Sequence, residues 1–158
     1  MQGKNVPEAA VARNKAWITA VTQSLAERGD AELLQGVMKD AGRRCAAQLL
    51  EMTIAHYGKA LRNVDELIEA INKRREEVLR ATTFWTREGD TALFQLEQCS
   101  CDMVQAGLAE PNPHFCNCSA GMFAQIFSHV CTGPVSVDIL KSIGRGDDHC
   151  EFVIHFAE

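Results

Sequence analysis

The chain has 158 residues, enough for one domain with a substantial core, since domains of about 100–150 residues are the commonest size. A formal net charge of -5 and an isoelectric point near 5.5 argue against the basic face that nucleic-acid binding requires. The mixed charges of Lys73–Glu77 predict a solvated helix face rather than a basic patch. Because no export pattern and no span of roughly 18 apolar residues is found, we expect a cytoplasmic single domain over residues 1–158 that binds no membrane.

Apolar residues recur every three or four positions in the first half of the chain, which is the period of an amphipathic helix. One such stripe runs through residues 17–25 and a second through residues 38–52. A third helix is predicted from Asn63, where Glu66 three residues later has the spacing of a capping box. We therefore expect a helical part over residues 1–88, with enough apolar surface left over for homodimerisation through the N-terminal helices.

The apolar period changes to two after residue 90, which indicates strands with one buried face. A short helix is predicted between the first and second strands, at about 119–130, after a loop that contains two prolines. Helices followed by strands predict an α+β fold, with N-terminal helices packed on a small antiparallel sheet in residues 89–158. Eight residues are expected to share the core face of that sheet: Phe94, Leu96, Val135, Val137, Ile139, Phe152, Ile154 and Phe156.

Six of the seven cysteines fall between residues 99 and 150, and without an export signal they favour reduced thiols over disulfides. Zinc takes four tetrahedral ligands, and strand positions two residues apart rise by about 6.6 Å, too far for both sulfurs to reach one ion. One ligand from each Cys-x-Cys pair is therefore expected, with a histidine such as His149 or His114. The candidate zinc ligands are Cys99, Cys101, Cys116, Cys118, Cys150 and His149. The alternative is that the thiols fill the core, which we favour for Cys45 and Cys131.

A catalytic thiol is another chemical interpretation. Cys118 directly precedes Ser119, the predicted cap of the short helix, where backbone N–H groups and the helix dipole would stabilise a thiolate. His114 or His129 would then serve as the base. The apolar side of the same helix is either ordinary core or the wall of a ligand pocket, and it comprises Met122, Phe123, Ile126 and Phe127.

The last third of the chain resembles the closing segment of the 4-vinyl-reductase-like small-molecule-binding domain family. The resemblance covers residues 116–156 and rests on Ser119 and Gly121, Gly133-Pro134-Val135, Gly146-Asp147 and Cys150-Glu151-Phe152. It implies an α+β fold, frequent dimerisation and the binding of small hydrophobic or aromatic molecules. In the sensor members of that family, it also implies a structural zinc ion beside the ligand.

By position, Cys116 and Cys150 correspond to zinc-ligand cysteines of the family pattern. Ser142 and Ile139 stand where such sensors carry another cysteine and a glutamate. The resemblance therefore implies a sensor-like ligand-binding protein with a cysteine-rich zinc site.

A further resemblance keeps an enzyme as the alternative. Small bacterial proteins with a Gly-Arg-x-Cys-Ala helix look similar to residues 42–46, and some relatives are named 2-amino-thiazoline-carboxylate hydrolases. This similarity implies a thiol- or zinc-dependent hydrolase of a small heterocycle. Four protein ligands would indicate a structural zinc ion, whereas a coordination position open to water would indicate catalysis.

Overall fold

The structure is a computed structural model, and it describes residues 7–157. Three long helices come first, namely α1 (Glu8–Arg28), α2 (Ala31–Tyr57) and α3 (Val64–Glu77). They are followed by β1 (Thr86–Glu88), β2 (Thr91–Leu96), α4 (Asp102–Gln105) and α5 (Pro113–Phe127). The chain ends with β3 (Ser136–Lys141), a 3-10 turn (Ile143–Arg145) and β4 (Cys150–His155).

Local capping signals set both ends of α2 and the start of α3. The Asp30 side chain accepts a hydrogen bond from the first turn of α2, and Gly58 ends that helix in the left-handed region at φ 84°. Asn63 caps α3, where its side-chain oxygen accepts from the backbone N–H of Glu66 at 2.9 Å. The Glu66 carboxylate in turn accepts from the backbone N–H of Arg62. The predicted start of α3 at Asn63 is confirmed.

Helix α5 begins at Pro113, not at about residue 119 as predicted. The Asn112 side chain accepts from the N–H groups of His114 and Phe115, and Pro113 occupies the first turn, where no N–H donor is needed. The predicted cap at Ser119 is wrong because this Asn-Pro pair is the stronger start signal. As a result, Cys116 and Cys118 lie within α5 instead of before it.

The sheet has the order β1-β2-β4-β3, and every neighbouring pair is antiparallel. Phe152 in the central strand β4 lies opposite Phe94 on one side and Ile139 on the other, so the three share a face. The predicted core-face residues of β2 and β4 are buried, and those near edge strand β3 are partly buried. The α+β class and the common face are confirmed, whereas the short elements β1 and α4 were not predicted.

The helices are layered on one face of this sheet. Helix α5 packs against β3 and β4, α3 packs against β1, and α2 packs on both α3 and α5. One buried cluster runs from Ala46 in α2 to Phe156 after β4, so helices and sheet share a core. The apolar stripe of α1 stays exposed, with 68% of the Trp17 surface accessible. Within residues 7–157, no helix has both the length and the apolar character to cross a bilayer.

Two glycines allow α2 and α5 to approach each other closely. A Cβ atom on Gly42 would lie 1.9 Å from the carbonyl oxygen of Cys118, and one on Gly121 would lie 2.1 Å from that of Lys39. No real Cβ atom approaches a backbone oxygen so closely, so a side chain at either position forces the helices apart. The glycine pair therefore fixes the spacing between α2 and α5, beside the cavity that both helices line.

Candidate ligand-binding cavity

A cavity of about 330 Å³ lies between α2, α3, α5, Phe94 of β2 and the start of α4. Its size falls in the range of about 300–1,000 Å³ that is typical of small-molecule sites. The four α5 residues singled out in the sequence all line it, namely Met122, Phe123, Ile126 and Phe127. The structure therefore places these candidate ligand-binding residues around one space.

Trp85 and Phe94 form a rigid aromatic wall of this cavity. The two rings are stacked with centroids 4.4 Å apart, and the edge of Phe123 meets Trp85 at 4.9 Å. Asn72 holds the Trp85 backbone, because its amide donates to the Trp85 carbonyl oxygen and accepts from the Trp85 N–H. Sequence reasoning missed Trp85, which precedes the first predicted strand and belongs to no apolar repeat.

Two arginines of α3 also line the cavity, Arg74 and Arg75. The Arg75 guanidinium lies 4.5 Å over the ring of Phe94 and donates hydrogen bonds to both the carbonyl and the hydroxyl oxygen of Thr83. Burial lowers the pKa of Arg75. The prediction that residues 73–77 are simply a solvated face is therefore wrong for these two arginines, because α3 turns them toward α2 and β2.

Three cysteines also line this cavity, namely Cys45, Cys101 and Cys118. Burial, with smaller contributions from the other two thiols, raises the pKa of Cys118 to about 11. The basis for an activated Cys118 nucleophile is therefore wrong, because α5 starts six positions before the predicted Ser119 and burial keeps the thiol protonated at neutral pH. Within residues 7–157, Cys118 makes no hydrogen bond to His114 or His129, the suggested bases.

The raised pKa predicts slow alkylation of Cys118. About one Cys118 side chain in ten thousand is a thiolate at pH 7, four pH units below a pKa of about 11. We expect iodoacetamide to label Cys118 about tenfold faster for each pH unit between pH 7 and pH 10. Peptide mass spectrometry of labelling time courses measures this dependence, with the exposed Cys45 as the internal reference. A Cys118 rate that is as fast as that of Cys45 at pH 7 contradicts the prediction.

A second group of thiols, Cys99, Cys116 and Cys150, lines a separate small void of about 30 Å³. Burial raises the pKa of Cys150, and the neighbouring Cys116 and Cys99 thiols add to the effect. The Cys116 sulfur lies 2.8 Å from the hydroxyl oxygen of the fully buried Ser142. Cys101 lines both spaces. The structure therefore brings the family-like positions 116, 142 and 150 together and separates Cys118 from them.

The described side chains, as they are placed, show no zinc site. In the described part of the chain, no three or more His, Cys, Asp or Glu side chains are grouped so that they could hold a metal ion. The ring of His149 contacts the carboxylate of Asp148 through Nδ1 and that of Glu151 through Nε2. We therefore derive no role for zinc from this geometry. Zinc stays a prediction, which metal analysis of protein purified without added metal tests.

The fold and the cavity together define an α+β protein with a mainly apolar cavity between helices and sheet. The chain matches the model of a family of unknown function (DUF6144) over residues 2–158, and it belongs to that family. A comparison with curated proteins finds no significant match.

Solved structures share this fold at low sequence identity. Trafficking protein particle complex subunit 3 from Naegleria fowleri, covalently bound to palmitic acid, has a TM-score of 0.63 and 16% identity over 95% of this chain and 96% of that chain. The phenol-responsive sensory domain of the transcription activator PoxR, with phenol, has a TM-score of 0.58 and 16% identity over 90% of this chain and 74% of that chain. At these identities, the likeness concerns the fold alone.

The predicted relation to 4-vinyl reductases receives little support. A vinyl-4-reductase family protein from Methanocaldococcus jannaschii has a TM-score of 0.38 and 12% identity over 99% of this chain and 85% of that chain. A likeness at that level carries no argument about fold or function. The α+β class implied by residues 116–156 is confirmed by the structure itself, and the finer family assignment stays a prediction.

Proposed function

We propose that this protein binds a small hydrophobic or aromatic molecule in the cavity between α2, α3 and α5, as a sensor-like binding module. The observation that carries the proposal is the cavity of about 330 Å³ and its mainly apolar wall. Two proteins of the same fold hold small molecules, palmitic acid in one and phenol in the other. The ligand would gain about 25 cal/mol for each square ångström of apolar surface that it buries.

The aromatic wall supports a binding role because it is already ordered. Trp85 is fixed by Asn72 and by stacking on Phe94, so a ligand would not have to immobilise these side chains. Ordering a side chain on binding costs about 0.5–1.5 kcal/mol, and a preformed wall avoids that cost. Flexible Met122 on the opposite helix can adapt to the outline of the ligand.

Filling the cavity tests the proposal. Met122→Trp adds an indole to the cavity wall, whereas Gln125→Trp places the same indole on the exposed side of α5. With dodecanoic acid and phenol as probes, calorimetry should detect binding to the wild type and to Gln125→Trp. Met122→Trp should bind both probes at least about tenfold more weakly, which is a loss of about 1.4 kcal/mol in binding free energy.

Thermal unfolding shows whether both variants are folded, since overpacking typically costs about 1–3 kcal/mol. If Met122→Trp is folded and binds the two probes as tightly as Gln125→Trp does, the ligand lies elsewhere and the proposal is wrong.

The hydrolase alternative has weaker support. Its thiol form needs a nucleophile, and burial raises the pKa of Cys118, the best placed candidate, to about 11. Its zinc form needs a metal centre, and in the part of the chain that the structure describes, no side-chain group suits one. We therefore place binding ahead of hydrolysis.

Homodimerisation through the N-terminal helices is a further part of the proposal. It is supported by apolar side chains that α1 and α2 leave exposed, among them Trp17, Leu33 and Val37. Sedimentation at micromolar concentration tests it, and a monomer there contradicts it. The cytosolic location expected from the sequence stays a prediction.

A further inference from the structure

Arg75 is held in the cavity wall in a fixed orientation. Its guanidinium lies over the Phe94 ring at 4.5 Å, and its Nε–H and one Nη2–H donate to the two oxygen atoms of Thr83. A guanidinium has five N–H donors, so three remain on the Nη1 and Nη2 edge. Within residues 7–157, no hydrogen bond uses those three donors. Arg75 therefore presents a preoriented donor edge to a partner that the described residues do not supply.

The charge of Arg75 also lacks a counter-ion among the described residues. In residues 7–157, neither Arg74 nor Arg75 forms an ion pair with a carboxylate, and burial is the cause of the lowered pKa of Arg75. Among the described residues, the charged side chains that line the cavity are these two arginines and Asp102. The wall therefore carries a positive excess in a chain whose net charge is -5. A half-buried cation of this kind favours an anionic partner, because the low-dielectric surroundings strengthen the attraction.

We propose that the ligand is an amphipathic monocarboxylic acid, whose carboxylate pairs with Arg75 and whose apolar body lies along Met122, Phe123 and Ile126. This inference rests on the proposed function and names the chemical class of its ligand. A carboxylate matches the donor edge of a guanidinium with two parallel hydrogen bonds, which a neutral head group cannot form. The apolar part of the cavity would then hold an aliphatic chain or an aromatic ring.

Matched acids and amides separate the head group from the body of the ligand. Dodecanoic acid and dodecanamide form the aliphatic pair, and 2-naphthoic acid and 2-naphthamide form the aromatic pair. At pH 7.5, we expect at least one acid to bind wild-type protein about tenfold or more tightly than its amide, as measured by calorimetry. Which acid binds more tightly distinguishes an aliphatic from an aromatic ligand.

Substitutions in α3 test whether Arg75 causes the tighter binding of the acid. Arg75→Gln should weaken binding of the acid about 10- to 100-fold and leave binding of the amide within about threefold, because only the acid uses the charged hydrogen bonds. Arg75→Lys should restore part of the loss, since a lysine supplies the charge without the two-pronged geometry. Lys73→Gln is the matched control, because it removes one positive charge from an exposed position of the same helix that does not line the cavity.

The possible outcomes keep this inference distinct from the proposed function. If neither acids nor amides bind the wild type, the proposed function itself fails. If amides bind as tightly as their acids, the cavity is a binding site but the acid inference is overturned. The acid inference is also overturned if Lys73→Gln weakens binding of the acid as much as Arg75→Gln does. Unchanged amide binding to Arg75→Gln shows that this variant is folded with an intact cavity.

Discussion

Replacing Gly42 or Gly121 with alanine is expected to destabilise the protein by about 1–3 kcal/mol or more, the cost of overpacking a close contact. A Cβ at position 42 would lie 1.9 Å from the Cys118 carbonyl oxygen, and one at position 121 would lie 2.1 Å from that of Lys39. In both cases the obstacle is backbone, so no side-chain rotation can relieve it. Urea denaturation of each variant gives the change in the free energy of unfolding.

Gly36→Ala is the matched control, because it makes the same substitution in α2, the helix that also contains Gly42. A Cβ at Gly36 would meet nothing within 4 Å, and the position is exposed. Alanine there should stabilise the protein by about 0.5–1 kcal/mol, since glycine is unfavourable inside a helix. The predicted change in the free energy of unfolding at position 36 is therefore opposite in sign to that at positions 42 and 121. Equal effects at the three positions would contradict the close approach of α2 and α5.

Phe94→Ala is expected to cost about 3–5 kcal/mol, the range for truncating a fully buried phenylalanine. Only 1% of its surface is exposed, and its ring contacts the rings of Trp85 and Phe123 as well as the Arg75 guanidinium. The substitution removes all these contacts at once and enlarges the cavity. Chemical denaturation measures the loss, and near-ultraviolet circular dichroism reports the loosened environment of Trp85.

Phe84→Ala is the comparison for this prediction. Phe84 is 39% exposed, so its truncation should cost about 1 kcal/mol, the usual scale of a point change. Similar losses in the two variants would show that the aromatic wall is not the stable unit that the structure describes.

The parts of the fold that were predictable from the sequence depend on local signals. The cap formed by Asn63 and Glu66 and the left-handed end of α2 at Gly58 are decided within a few residues. The face shared by Phe94 and Phe152 follows from strand alternation, which any buried sheet face imposes. The start of α5 also has a local signal, because Asn112-Pro113 is a common helix opening that outweighs the later Ser119.

The composition of the cavity could be predicted only in part. The apolar stripe of α5 pointed to Met122 and Phe123, since helix periodicity alone places them on one side. Arg75 and Trp85 could not be recognised in the same way, because their position in the cavity depends on how α3 and the segment before β2 pack against α2 and α5. Contacts of this kind join residues far apart in sequence and leave no periodic signal.

The two groups of cysteines show why spacing alone was insufficient. The Cys-x-Cys geometry predicted that Cys116 and Cys118 would not bind one ion together, and the structure places them at different cavities. Both cysteines lie in helix α5, in which side chains two positions apart are rotated by about 200° about the helix axis. They therefore separate for this reason, and not because they lie in an extended strand. Cys116 faces Ser142, whereas Cys118 faces the cavity shared with Cys45.

Tryptophan fluorescence tests the central claim, that the cavity binds a small apolar molecule, most directly. The chain has two tryptophans, of which Trp17 is exposed and Trp85 is buried in the cavity wall, so Trp17→Phe leaves a single reporter at the site. Titration of Trp17→Phe with dodecanoic acid and dodecanamide should give a saturable change in Trp85 emission at one ligand per chain. Unchanged emission, together with no binding heat in calorimetry for either compound, would contradict the account.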